Sequence, residues 1–180
     1  MKKTLILTDI FGKNYIEEFL SFFENYILLD PYNDSLFFEN EETAYDYYVK
    51  TGIQERYYEK AFEISKKENI EIIIGFSVGG TIAWRLSENR FNKLKKIVCF
   101  YPSQIRNNLN IEPKIDTKII FAKKEDSFDT QKMKEILSAK ENVRVEISDF
   151  EHGFMNKKSK NFDSKAFEKY TKQILNEIEQ

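Results

Sequence analysis

Residues 71–80 read Glu71-Ile72-Ile73-Ile74-Gly75-Phe76-Ser77-Val78-Gly79-Gly80 and lead straight into Thr81-Ile82-Ala83-Trp84-Arg85-Leu86. A short apolar run that stops at Gly-x-Ser-x-Gly and continues into a helix-spaced segment is the pattern of a strand, a sharp turn and a helix, with serine at the apex. The Ser77 hydroxyl is then expected above the edge of a sheet, where a nucleophile would sit. Glycine and serine are common in any strand-to-helix turn, so the pentapeptide draws its meaning from this placement.

Outward from that segment, short apolar runs recur at 5–8, 26–29, 72–74, 97–101, 119–122 and 143–147, and between them lie segments with helical spacing at 14–24, 43–67, 81–87, 130–139 and 162–178. Continuous apolar strands separated by helices imply an α/β fold, a parallel sheet covered on both faces and joined by right-handed crossovers. Gly12, Pro31, Gly75, Gly79, Gly80, Pro102 and Gly153 gather near strand ends, which places a functional rim along the C-terminal edge of the sheet. The tyrosines of the second crossover, at 45, 47, 48, 57 and 58, are expected to serve amphipathic packing rather than ligand stacking. No repeat, low-complexity tract or linker interrupts the pattern, and the Lys157-Lys158-Ser159-Lys160 run reads as a solvated loop before the last helix.

At 180 residues the chain suits a single domain, 1–180, that buries about 70% of its unfolded surface without disulfides or metal. With 32% charged residues, 41% hydrophobic residues and a formal net charge of −2, it carries no basic surplus for nucleic acid. Cys99, the only cysteine, lies in the apolar run around Val98 and Phe100 and is expected to be buried and inert. The Met1-Lys2-Lys3 start precedes an apolar stretch too short for a signal peptide, and no segment approaches the length of a membrane span, so a cytoplasmic protein is expected.

A serine hydroxyl becomes a nucleophile when a base accepts its proton, usually a histidine oriented by a carboxylate. The sequence offers one histidine, His152, which follows the predicted last strand and so lies on the same rim as Ser77. The acid is expected on the loop after the fifth strand, in Lys123-Lys124-Glu125-Asp126-Ser127-Phe128-Asp129. Asp129 is placed to cap the helix starting near Thr130; Asp126 is the preferred orienter, with Glu125, which could also be a surface charge beside the lysines, as the alternative. The order serine, acid, histidine is that of α/β-hydrolases. For the developing oxyanion, the Val78 amide would supply one donor and the Ile10 amide, on the loop after the first strand, a second. That loop also reads simply as a strand exit with Gly12 at its turn. Phe11, Phe76, Tyr101 and Phe154 neighbour these residues and could line a pocket or belong to the core; with Asp9 they complete the expected substrate-binding set.

These motifs together resemble the dienelactone hydrolase family of α/β-hydrolases. Thr8-Asp9-Ile10-Phe11-Gly12-Lys13-Asn14 is similar to its Gln-Glu-Ile-Phe-Gly-x-Asn loop, whose isoleucine amide contributes to the oxyanion hole. Leu29-Asp30-Pro31-Tyr32 resembles, in altered order, its segment around Pro-Asp-Leu-Tyr. The elbow is similar to Gly-x-Cys-x-Gly-Gly with Ser77 in place of cysteine, and Glu125 to Phe128 and Glu151 to Phe154 resemble its Asp-x-Phe and His-Gly-Phe loops. In the family a glutamate helps to ionise the thiol; Asp9 stands there. No motif places the family's substrate-carboxylate arginines on Arg85, Arg90, Arg106 or Arg144. The resemblance implies a shortened α/β-hydrolase fold without the first hairpin, its six mostly parallel strands in the order 2-1-3-4-5-6. It also implies a serine hydrolase for a small ester or lactone, with no metal or organic cofactor. A non-catalytic module on the same scaffold is the competing expectation.

Overall fold

All six apolar runs become strands in the computed structural model, which describes residues 2–32 and 36–179. They are β1 (Thr4–Leu7), β2 (Tyr26–Leu29), β3 (Ile72–Phe76), β4 (Lys96–Phe100), β5 (Asp116–Phe121) and β6 (Val143–Ile147). The sheet has the order β2-β1-β3-β4-β5-β6 and every neighbouring pair is parallel. The runs lack polar alternation because both faces are covered: successive side chains of a strand point to opposite sides, and each side meets its own helices. Leu5, Leu7, Ile73, Ile97, Cys99 and Ile119 join one core with residues of α2 (Glu41–Lys50), α3 (Ile53–Lys67), α4 (Val78–Leu86) and α5 (Thr130–Ser138). Ile6, Ile74, Val98, Phe100 and Ile120 join the other, against α1 (Glu17–Leu20) and α6 (Ser164–Glu179). Burial pushes the Cys99 thiol far above its ordinary pKa, as expected of an inert cysteine.

Two helical segments differ from the sequence pattern. The stretch 43–67 is two helices, because Gly52 takes a left-handed conformation (φ 61°) between them. The stretch 14–24 keeps only the single turn of α1, since Tyr15 at φ 71° cannot continue a right-handed helix. Apolar spacing reports which face is buried and is blind to such backbone reversals. Asp129 caps α5 as expected, its carboxylate accepting from the Lys132 amide at 2.9 Å. Of the tyrosines, Tyr48 and Tyr57 are core residues while Tyr45 and Tyr47 stay exposed. The Tyr57 hydroxyl reaches the Thr8 and Leu29 carbonyls, both at 3.1 Å, and so ties together the chain at the ends of β1 and β2. Among the described residues no helix is long and apolar enough to cross a membrane.

α4 sits directly on the strand ends. A Cβ on Gly79 would lie 2.4 Å from the Leu7 carbonyl oxygen and 2.5 Å from that of Thr8. Both obstacles are backbone, so Gly79→Ala is expected to push α4 off β1 at a cost of about 1–3 kcal/mol or more. A fall in the urea midpoint is the expected reading.

Candidate active site

Ser77 is the hinge between β3 and α4, held at φ 51° and ψ −112°. A left-handed conformation in a residue other than glycine costs on the order of 1–3 kcal/mol and persists only where the surroundings enforce it. Here the Ser77 amide donates to the Phe100 carbonyl at 2.9 Å, while Gly75 and Gly79 allow the strand and helix backbones to close together. His152 comes from the loop after β6. Its carbonyl accepts from Asn161 Nδ2 at 2.9 Å, and its ring packs against Tyr101 with centroids 4.9 Å apart. Gly153 follows at φ 91°, where a Cβ would lie 2.3 Å from Ser159 Oγ.

These loops bring Ser77 Oγ to 3.0 Å from His152 Nε2. His152 Nδ1 lies 2.9 Å and 3.0 Å from the two carboxylate oxygens of Glu125. The geometry sets Glu125, rather than the preferred Asp126, beside His152. Asp126 is exposed and makes no hydrogen bond among the described residues, whereas the Glu125 side chain is 7% exposed and faces the imidazole. The cause is the turn itself: a bridge between Glu125 and Phe128 closes it, which leaves Asp126 and Ser127 at its outer tip. Burial alone would lower the His152 pKa, but the hydrogen bond and charge of Glu125, with smaller contributions from Glu41 and Asp9, outweigh it and raise the pKa above the ordinary imidazole value. A neutral imidazole with its Nδ1 proton donated to Glu125 leaves Nε2 free to accept the serine proton.

The loop after β1 is anchored on both sides of Ile10. Asp9 Oδ1 accepts from the Phe11 amide at 2.9 Å, and the Tyr32 hydroxyl donates to the Ile10 carbonyl at 2.7 Å. The amides of Ile10 and Val78 donate to no acceptor among the described residues, although both residues are buried. A recess of about 10 Å³ lies between Asp9, Ile10, Ser77, Tyr101 and His152, the room of roughly one oxygen atom. Beyond it opens a cavity of about 490 Å³ whose wall includes Ile10, Glu41, Tyr45, Ser77, His152 and Lys160.

The expected substrate-binding set divides. Phe11 and Tyr101 border the recess beside Ser77. Phe76 and Phe154 do not line this cavity: Phe76 stacks on Phe100 at 5.1 Å, and Phe154 is fully buried against Phe100, Tyr101 and Tyr170. Their position in the strand and loop turns both rings toward α1 and α6. Asp9 is also a scaffold residue here. Its second oxygen accepts from Asn156 Nδ2 at 2.6 Å, which couples the loop after β1 to the histidine loop. Burial raises the Asp9 pKa to about 6 despite the lowering effect of the Phe11 amide, Asn156 and His152.

Asn156→Ala removes the side-chain donor to this carboxylate. Above pH 6 Asp9 is charged and loses a bond of about 1.5–3 kcal/mol, whereas near pH 5 the group is mostly protonated and loses a weaker one. Urea unfolding is therefore expected to show a larger destabilisation at pH 8 than at pH 5. Equal losses at the two pH values would refute the charge-dependent bond.

Sequence reading did not single out Asn156, Asn161, Glu41 or Tyr45 as site residues. The two asparagines lie close behind His152 and are reachable by asking what holds that loop. Glu41 and Tyr45 come from α2, outside every motif quoted above. Among the described residues no group of three or more His, Cys, Asp or Glu side chains converges as a metal site.

A parallel sheet in this strand order, with a strained serine elbow on its rim and a histidine and an acid from the later loops beside it, defines the α/β-hydrolase class. The profile of the dienelactone hydrolase family matches residues 30–180, and the chain belongs to that family. The uncharacterized protein YczH of Bacillus subtilis (strain 168) is 33% identical over 148 residues, covering 78% of this chain and 71% of its own. Among solved structures, a Klebsiella pneumoniae protein with a provisional dienelactone hydrolase name superposes with a TM-score of 0.71 at 15% identity, over 97% of this chain and 85% of its own. Mouse alpha/beta hydrolase domain-containing protein 10 gives 0.65 at 12%, over 99% and 89%. At these identities the structural likeness speaks for the fold alone. Family and fold support a hydrolase.

Proposed function

We propose that the chain is a serine hydrolase that cleaves a small carboxylic ester or lactone through an acyl-enzyme. The observation that carries this reading is the continuous hydrogen-bonded path from Ser77 Oγ through His152 to the Glu125 carboxylate. Ser77 Oγ attacks the carbonyl carbon while its proton passes to His152 Nε2, and the carbonyl electron pair moves onto oxygen. The amides of Ile10 and Val78 would receive that oxyanion; such a donor is worth about 3 kcal/mol where one has been removed from comparable enzymes. Collapse of the intermediate expels the alkoxide, which takes the proton from Nε2. Water then repeats the sequence on the acyl-serine and releases the acid.

Serine in place of the family's cysteine is consistent with the surroundings. A thiol depends on a neighbouring charge to stay ionised, whereas a hydroxyl needs a hydrogen-bonded base, which His152 supplies. Asp9 spends its hydrogen bonds on Phe11 and Asn156 rather than on Ser77. A fluorophosphonate probe tests the assignment, with covalent labelling expected at Ser77 and absent from Ser77→Ala. Unlabelled wild-type protein would refute it.

A further inference from the structure

The wall of the catalytic cavity is predominantly acidic. Glu41, Glu42, Glu125, Asp126 and Glu151 face it against Lys124 and Lys160. Glu125 is engaged by His152. Glu42, Asp126 and Glu151 are exposed and well hydrated. Glu41 differs from them. It is only partly exposed and borders both the 490 Å³ cavity and the recess beside Ser77 and His152. It forms no hydrogen bond or ion pair among the described residues. Its place in the first turn of α2 makes an acid cheap there, because the helix N-terminus favours negative charge. Helix stability does not require that this acid border the recess beside Ser77. A partly desolvated carboxylate without a partner is an open valence for a cation, and the low-dielectric wall strengthens the attraction.

Two further features point the same way. Tyr45, one turn along the same helix, lines the cavity and is 36% exposed, its hydroxyl accepting from Gln104 Nε2 at 3.3 Å, which sets an aromatic ring beside Glu41 where an ammonium group would be drawn. No arginine lines the cavity among the described residues. Arg85 is held by Glu55 and Arg144 by Asp116, and Arg106 donates to the Ser103 carbonyl and Ser127 Oγ. A substrate carboxylate would therefore meet an excess of like charge, opposed by the two lysines and by Arg106 behind Ser103 and Ser127 of the wall.

Resting on the serine-hydrolase reading above, we propose that the enzyme selects esters carrying an ammonium group, and that Glu41 is the residue that recognises it, with Tyr45 beside it. The cation can lie on the alcohol or the acyl side of the scissile bond, since the cavity extends around Ser77 toward both α2 and the histidine loop. Esters bearing a carboxylate are the disfavoured class.

Matched esters test this in the intact protein. On the alcohol side, the thioacetate of thiocholine is compared with its isostere in which tert-butyl replaces trimethylammonium. On the acyl side, p-nitrophenyl trimethylammoniobutyrate is compared with its tert-butyl counterpart. The expected result is a cation-to-neutral ratio of kcat/KM of roughly tenfold or more in at least one series, reduced by added salt. Glu41→Gln should bring that ratio to within about twofold of unity, whatever happens to the absolute rates. A ratio at or below one in both series for the wild type overturns the inference and leaves the hydrolase reading standing, as does a ratio that Glu41→Gln fails to change. If none of the four esters is turned over, the ester-hydrolase reading falls and the inference with it.

Discussion

Ser77→Ala and His152→Ala are each expected to remove nearly all p-nitrophenyl ester turnover, with a loss approaching a millionfold by the precedent of a serine hydrolase dissected in this way. The two losses should not add, because serine without its base and base without its serine disable the same proton transfer. The double variant is therefore expected to be about as slow as either single one. Both positions are on the rim, so folding should survive. Ser77→Ala also removes a side chain from a strained elbow without inserting anything into the tight contact between α4 and β1. Unchanged thermal midpoints with abolished turnover is the pattern that supports catalysis. Activity persisting in both single variants would sink the assignment.

The second large effect separates two adjacent acids. Glu125→Gln keeps the size of the side chain but removes the charge that stabilises the imidazolium and helps to fix its tautomer, and a loss of about ten-thousandfold in kcat is expected. Asp126→Asn, one residue along and exposed, should change kcat by no more than about twofold. The pH profile gives an independent reading. His152 must be neutral to accept the serine proton, so wild-type kcat/KM rises with pH through a value above the ordinary imidazole range. The bond and charge of Glu125 oppose the lowering effect of burial. Removing them should shift the acidic limb of the residual activity toward lower pH. An unshifted limb, or a larger defect in Asp126→Asn, would return the acid's role to Asp126.

That single-residue displacement shows where sequence reading ends. All three acids of the 123–129 loop are in the right segment, and Asp129 is identifiable as a cap because its distance from the helix start is a local property. Whether Glu125 or Asp126 turns inward depends on the bridge from Glu125 to Phe128 and on the packing of Phe128 against Phe121, ring centroids 5.5 Å apart. A glutamate also has one more methylene with which to reach the imidazole. Phe76 and Phe154 tell the same story for the pocket. Their neighbours in sequence are site residues, yet alternation along β3 and the course of the histidine loop send both rings into the core between the sheet and α6.

Strand count, the parallel sheet and the positions of the serine and histidine loops were legible in the sequence, because apolar runs, helical spacing and glycines near strand ends are short-range consequences of burial and backbone sterics. The resemblance to a known family supplied the strand order that spacing alone leaves open. Only the tertiary structure decided what meets across the rim: Glu125 on His152, Asn156 on Asp9 across the sheet's edge, and Glu41 brought by α2 to the recess that Ser77 borders. These meetings join residues far apart in the chain. Their partners are fixed by how loops pack against one another, and no periodicity within a segment encodes that.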